Sequence, residues 1–445
     1  MDFERAKGIL ENEALASGLE EYEIYYTYSD GISAETLKNE ISSFSCGSGA
    51  GISFRCIVDG HVGTAATELF DEEELRALVG RAAANAKYIE NNEPAIIFAG
   101  SKEYGKTTSV VKEMPEVAAI KKLALEIQSK TYEQSSIVTD GTQSAVFAGI
   151  NKYELANSKG LRLSNAVSSQ GAYAAAVVNK DGEASDGMEY SLDLENTADL
   201  SAKAFEEASS KLGAGSVKSG KYSVILDGKQ MRSLLATYSS VFSGKRALQG
   251  LSLLAGKVDE KIASDCVTVI DDPCYEGCAA QTPFDGEGVA TYKKNVIENG
   301  VLKTLLYDLA TAYRAGVETT ANGQRGSYAQ QVAIAPFCFY IKEGTLSEDE
   351  LFAKMGDGLY VTELKGLHAG ADAVTGDFSI ESSGYLVKDG KLAGAVKGFT
   401  IAGNFFELLK SVEAVADTVK MGMPSGFTCF GSPNVLLKSM SVAGE

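Results

Sequence analysis

The stretch "YEIYYTYSDGISAETLKNEISSFSCGSGAGISFRCIVDGHVGTAAT", residues 22–67, alternates polar and apolar side chains and shows no helical spacing. Alternation with a period of two is the signature of half-buried strands, so the segment reads as an antiparallel meander. Asp30-Gly31 and Asp59-Gly60 are assigned as its hairpin turns, because Asp-Gly supplies the left-handed backbone that a two-residue turn demands. Ser48, in "CGSGAG", is placed between strands, where the glycines suit a bulge or a tight turn.

Helical patterns surround this meander, which makes the fold class α+β. Phe3, Ala6, Ile9, Leu10 and Leu15 fall on one face of an amphipathic helix, and the acidic residues among them do not suit an export signal. In "DEEELRALVGRAAANAKYI", residues 71–89, Asp71 can cap a helix and Glu74 completes a capping box. Together these define an N-terminal α+β unit, 1–105. A central α+β unit, 106–215, holds a helix from Pro115 to Glu133, strands over residues 143–179, and a helix from about Asn196 to Leu212.

"GAGSVKSG", residues 213–220, is small, free of apolar periodicity and reads as a linker. Beyond it, 216–445 is predicted to be a larger, mostly antiparallel β domain with a few helices. It opens with strand "KYSVILD" and a helix at "GKQMRSLLATYSSVFSG". Hairpins turn at Asn299-Gly300 and Asp389-Gly390, and Asn404 with Glu407 suggests another capping box.

Composition bounds the function. The chain has 445 residues, 44% apolar and 23% charged, which is the balance of a soluble globular protein. A net charge of −19 repels a polyanion, so no direct nucleic-acid partner is expected. No apolar run is long enough for a membrane helix, and seven scattered cysteines fit a reducing cytoplasm.

Several chemistries can be weighed on residue patterns. "GSKEYGKT", residues 100–107, matches a phosphate-binding P-loop letter by letter, which would imply an NTPase. That loop needs a helix beginning at Lys106, but β-branched residues follow and Pro115 comes soon after, so the match reads as a connection between units. Cys274 and Cys278 could supply two metal ligands. No second cysteine pair closes such a site, and His61 and His368 are the only histidines, so no metal and no cofactor are expected. No nucleophile elbow is present. His368, Asp372 and Asp377 lie in a Gly- and Asp-rich stretch able to line a cleft.

Longer strings carry a resemblance. "GLHAGADAVTGDFSIESSGYLVKDGKLAGAVKGFTIAGNFFELLKSVEAVAD", "GSPNVLLKSMSVAGE", "PFDGEGVATYKKNVIENGVL" and "YDLATAYRAG" together resemble the C-terminal region of the TldD/PmbA family, first named as modulators of DNA gyrase, on its PmbA (TldE) side. In that family TldD and TldE chains pair as a peptide-degrading metalloprotease, and the TldD chain holds zinc through H-E-x-x-x-H and a later cysteine. Laid on this chain, the pattern puts Ala236, Thr237 and Val241 where His, Glu and His would stand. Its cysteine falls near "KMGMPSG", which has none, while Cys429 lies several residues late.

The resemblance implies a non-catalytic partner subunit for a TldD-like catalytic chain acting on small or unfolded peptides, with a homodimer in isolation. His368, Asp372, Asp377 and Asn404 are its candidate substrate-groove residues. A stand-alone homodimeric peptide-binding or scaffold protein is the alternative.

Overall fold

The computed structural model describes residues 2–89 and 93–445. Helix α1 (Phe3–Ala16) precedes strands β1 (Tyr22–Leu37), β2 (Glu40–Val58) and β3 (His61–Thr67), and α2 (Glu72–Lys87) follows. Next come α3 (Val117–Glu133), β4 (Gln143–Asn157), β5 (Arg162–Lys180), β6 (Glu183–Ser191) and α4 (Leu200–Ser210). The strands form one antiparallel sheet in the order β3-β2-β1-β4-β5-β6. Because β1 pairs with β4 from Glu23↔Asn157 to Leu37↔Gln143, the strands of the first and central units share a continuous ladder.

Side-chain parity explains how this sheet is covered. Tyr22 and Ile24 of β1 pack with α1 and α2, and further along the same face Ile32 and Ala34 pack with α3 and α4. On the opposite face, Tyr25 of β1 and Tyr153 of β4 pack against Phe284 and Phe427 of the C-terminal unit. The alternation in "YEIYYTYS" therefore separates two partners, helices on one side and the C-terminal unit on the other.

The assignment of Asp30-Gly31 as a turn is corrected. Both residues lie inside β1, where Gly31 stands opposite Gly47 on one side and Gly149 on the other. The turn falls at Lys38-Asn39, with φ of 53° and 61°. Pairing on both edges of β1, with Ile32 and Ala34 buried beyond the Asp-Gly pair, outweighs the local turn preference. For the same reason Ser48 is a strand residue opposite Asp30, and not part of a turn or bulge. The turn at Asp59-Gly60 forms as expected, with φ of 53° and 82°.

The C-terminal unit opens with β7 (Gly220–Leu226), α5 (Gly228–Tyr238), a 3-10 turn (Ser239–Phe242) and α6 (Gly244–Leu248). Next come β8 (Val269–Asp271), β9 (Lys294–Glu298), β10 (Val301–Leu302), α7 (Leu309–Ala315), β11 (Gly323–Gln324), β12 (Ala333–Ile334) and β13 (Cys338–Ile341). It continues with α8 (Glu348–Met355), β14 (Gly358–Lys365), α9 (Leu367–Gly370), β15 (Asp377–Lys388), β16 (Lys391–Asn404) and α10 (Phe405–Ser411). Strands β17 (Val412–Val415), β18 (Lys420–Met421), β19 (Cys429–Ser432) and β20 (Val435–Ala443) complete it.

Two six-stranded sheets result, β10-β9-β8-β13-β19-β18 and β16-β15-β14-β7-β20-β17. Leu226, Leu234, Phe339, Val361 and Phe405 belong to one apolar core that joins both sheets to α5. Pairing is antiparallel except at β7–β14 and β13–β19. The expected hairpins stand, with positive φ at Asn299, Gly300, Asp389 and Gly390. The fold is α+β, with a sheet-and-helix N-terminal part and a larger strand-rich C-terminal part.

Helix caps differ in detail from the sequence reading. Asp71 accepts from Glu74 N at 2.9 Å, but the Glu74 carboxylate pairs with Arg81 instead of returning to the cap. Asn404 caps through Phe406 N at 3.1 Å, and Glu407 pairs with Lys410. Both are single caps, whereas a reciprocal capping box forms at Ser347 and Glu350. Among the described residues no helix is long and apolar enough to cross a membrane.

Candidate functional site

Helix α5 begins at Asp227, whose carboxylate caps Lys229 N at 2.7 Å, and runs between the two C-terminal sheets. Its C-terminal turn and the 3-10 turn after it carry the three positions at which the resemblance places zinc-binding chemistry. Thr237 returns its hydroxyl to Ser233 O at 2.8 Å, and Val241, on the following 3-10 turn, is wholly buried in the apolar core. Ala236 offers no donor atom. Histidine ligands are also out of place, since His61 opens β3 in the N-terminal sheet and His368 lies on α9. These residues do not fit a two-imidazole zinc centre, which needs both rings on one helical face.

The structure brings three of the four groove candidates together. Asp372 N donates to Asp377 O at 2.9 Å, and Asn404 Nδ2 donates to Asp377 Oδ1 at 2.9 Å and to Thr375 O at 2.9 Å. Asp372 Oδ1 accepts from Val374 N at 2.7 Å, closing the turn between α9 and β15. Tyr238, at the end of α5, donates its hydroxyl to Asp377 O at 2.8 Å and stacks on Phe405 at 4.5 Å. Burial pushes the Tyr238 phenol up to about 12, with the charges of Asp377 and Asp372 adding to the effect, so it remains a neutral donor. His368 is exposed, and its imidazole makes no hydrogen bond among the described residues.

The P-loop-like stretch is a strap. Residues 93–116 form neither helix nor strand, and the next helix starts only at Val117. Thr108 N and Ser109 N both donate to Gln281 Oε1, at 2.6 and 3.0 Å. Tyr104 donates to Gly288 O at 2.8 Å, and Ala290 N donates to Ser101 Oγ at 3.0 Å. Two backbone donors just beyond Lys106, those of Thr108 and Ser109, are thus committed to the C-terminal unit.

A buried charge cluster, which sequence reading missed, joins that unit to the N-terminal sheet. Glu23 of β1 accepts from Arg325 and, at 3.3 Å, from Arg55. Burial works to raise Glu23, but Arg325 and Arg55 outweigh it and hold the carboxyl below its ordinary value. Nearby, Asp285 accepts three backbone N–H bonds, from Glu287 at 2.9 Å, Val289 at 3.0 Å and Gly323 at 3.1 Å. Burial pushes Glu287 up to about 8, and the Asp285 charge adds to the shift. Asp285, with its three donors, is the better placed of the two to carry the charge.

Beside this cluster a groove of about 400 Å³ opens between the sheet and the loops at 326–328 and 426–427. Thr27, Gly51, Glu68, Tyr153, Tyr328 and Phe427 line it. The Tyr328 ring lies on Gly51, where an added Cβ would come within 2.2 Å of it, and the Tyr328 hydroxyl pairs with Glu68.

The cysteine assignment is revised. Cys274 and Cys278 are not a pair: Cys274 Sγ faces Thr282 O at 3.9 Å, whereas Cys278 meets Cys338 and Cys429.

With this geometry established, relatives can be compared. Residues 22–86 match PmbA/TldA metallopeptidase domain 1, residues 113–212 its central domain and residues 219–444 its C-terminal domain. The uncharacterised protein MJ0231 of Methanocaldococcus jannaschii is 29% identical over 433 residues, covering 95% of this chain and 96% of its own. A Thermotoga maritima MSB8 protein put forward as a modulator of DNA gyrase superposes with a TM-score of 0.90 at 28% identity, covering 99% of this chain and 100% of its own. TldE from Thermococcus kodakarensis superposes with a TM-score of 0.86 at 25% identity, covering 98% of this chain and 99% of its own. In fold, in chain order and over most of its length, this chain belongs to the PmbA/TldA (PmbA/TldD) metallopeptidase family.

Proposed function

We propose that this chain is a TldE-type, non-catalytic subunit that pairs with a TldD-type zinc metalloprotease acting on small or unfolded peptides in the cytoplasm. The observation that carries this reading is the C-terminal turn of α5 and the 3-10 turn after it. The resemblance puts the zinc ligands and general base at Ala236, at Thr237, whose hydroxyl bonds back to Ser233 O, and at the buried Val241. None of these side chains can hold a metal or take a proton from its water. The likeness to TldE supports the same reading.

In this account the exposed His368 and the turn closed by Asp372, Asp377 and Asn404 face the peptide or the catalytic partner. Tyr238 ties that turn to α5, so the rearrangement of one shifts the other. The experiment mixes the purified chain with a TldD-like chain from the same organism and follows cleavage of an unstructured peptide. Cleavage is expected from the pair, with none from this chain alone, and His368→Ala should raise KM of the pair more than it lowers kcat.

A second reading, a stand-alone homodimeric peptide-binding protein, draws on the groove over Gly51 and Tyr328. It predicts peptide binding by this chain without any partner.

A further inference from the structure

Cys278, Cys338 and Cys429 come from three separate segments and converge on one point. Their Sγ atoms all lie within 4.8 Å of one another, and all three residues are buried. The parallel ladder of β13 and β19 sets Cys338 opposite Cys429, which puts both side chains on the same face. A turn after Asp272 delivers the third, with Cys278 N donating to Tyr275 O at 2.9 Å.

Chemistry around the cluster is soft and dry. Ile270, Ala280 and Tyr340 bury it, and Tyr275, Val419 and Met421 pack on its rim. Cys429 Sγ donates to Gly422 O at 3.2 Å. Arg232 of α5 flanks that glycine and donates to Met421 O at 2.6 Å, so a cationic side chain borders the thiols.

All three cysteines are free thiols, not joined in a disulfide. A disulfide would hold two sulfurs about 2.05 Å apart. A metal asks for something wider. With Zn–S bonds of about 2.3 Å, tetrahedral thiolates sit roughly 3.8 Å apart, inside the spacing this cluster allows.

We propose that Cys278, Cys338 and Cys429 form a structural thiolate site for Zn²⁺. The Met421 thioether or the Gly422 carbonyl, both at the rim, is placed to complete four-coordination. On binding, the three thiols give up their protons to solvent and each sulfur donates an electron pair to the metal, with no redox change. The bound ion would pin the loop of residues 273–280 to the β13–β19 ladder. This departs from the metal-free chain expected from sequence, yet it adds no peptidase chemistry, because a buried site of this kind closes structure and does not activate water.

The test uses the full chain, purified in reductant and stripped of metal, with Co²⁺ as the probe. One equivalent should produce a thiolate-to-cobalt charge-transfer band, Zn²⁺ should displace it, and Zn²⁺ should raise the thermal midpoint. Cys278→Ser is expected to lose both the band and the Zn²⁺-dependent midpoint shift, while Cys274→Ser, four positions away, keeps both. Circular dichroism without metal confirms that each variant is folded; if Cys278→Ser does not fold, the wild-type band and midpoint shift decide alone. No band from the folded wild-type chain, an unchanged band in Cys278→Ser, or a disulfide between two of the three cysteines in freshly purified protein would overturn the site. One equivalent of copper in the chain as isolated would overturn the choice of zinc.

Discussion

Arg325 of the C-terminal unit is hydrogen-bonded to Glu23 of β1, and the two side chains are 4% and 0% exposed. The Arg325 guanidinium also lies over the Tyr25 ring at 4.8 Å. This contact locks the face of the sheet opposite α1 and α2 onto the C-terminal unit, beside the groove over Gly51. Desolvating two charges is costly, so the pair acts as a latch of defined geometry more than as a source of net stability.

Removing one member of the latch is therefore more harmful than replacing both. Glu23→Ala strands a buried guanidinium and is expected to destabilise the chain by about 3–5 kcal/mol in urea unfolding. The double variant Glu23→Leu/Arg325→Met should recover part of that loss, since Arg55 still loses its carboxylate partner. Equal destabilisation by the single and double variants would show that the pair is not coupled.

The same interface should weaken as pH rises through neutrality. Glu287 has its folded value raised to about 8, above its unfolded one. Its contribution is fully present below the unfolded value and is lost as pH rises through about 8. Glu23 behaves oppositely: its folded value is lowered, so its contribution is present above the unfolded value and is lost in acid. Urea midpoints should thus decline from about pH 5 to about pH 8, and Glu287→Gln should flatten that decline. A profile unchanged by the substitution would contradict the assignment.

Gly51 makes room for the Tyr328 ring, so Gly51→Ala should displace Tyr328 and free the loop at 326–328. Overpacking of this kind costs about 1–3 kcal/mol. Limited proteolysis should then cut near Tyr328 in the variant and spare the parent chain. Equal resistance of both would mean that the loop is held by other contacts.

The strap predicts a separation between two variants. Lys106→Ala should leave stability unchanged, and neither it nor the parent chain should bind ATP. Gln281→Ala should loosen the strap, because Thr108 N and Ser109 N lose their shared acceptor. Hydrogen exchange at those two amides reads the difference, and slow exchange in Gln281→Ala would remove the strap from the account.

Some of this was legible in the sequence. The absence of a helix behind Lys106 followed from β-branched residues and Pro115, and the turn at Asp59-Gly60 followed from its residues. Asp30-Gly31 misled because pairing on both edges of β1 outweighed its turn preference, which a local pattern does not reveal. Glu23 looked like the polar half of an alternating strand, and only the packed C-terminal unit turns it into a buried ion-pair residue. The meeting of Cys278, Cys338 and Cys429 depends on the parallel β13–β19 ladder, whose strands are far apart in sequence. Cysteine spacing alone pointed instead to Cys274 and Cys278.

A non-catalytic role for this chain turns on the side chains of Ala236, Thr237 and Val241. Its most direct measurement is hydrolysis of an unstructured peptide by the Zn²⁺-supplemented chain alone, by a TldD-like partner alone, and by the two together. No cleavage is expected from this chain alone, and faster cleavage from the pair than from the partner alone. Sustained cleavage by this chain alone, abolished by a zinc chelator, would contradict it.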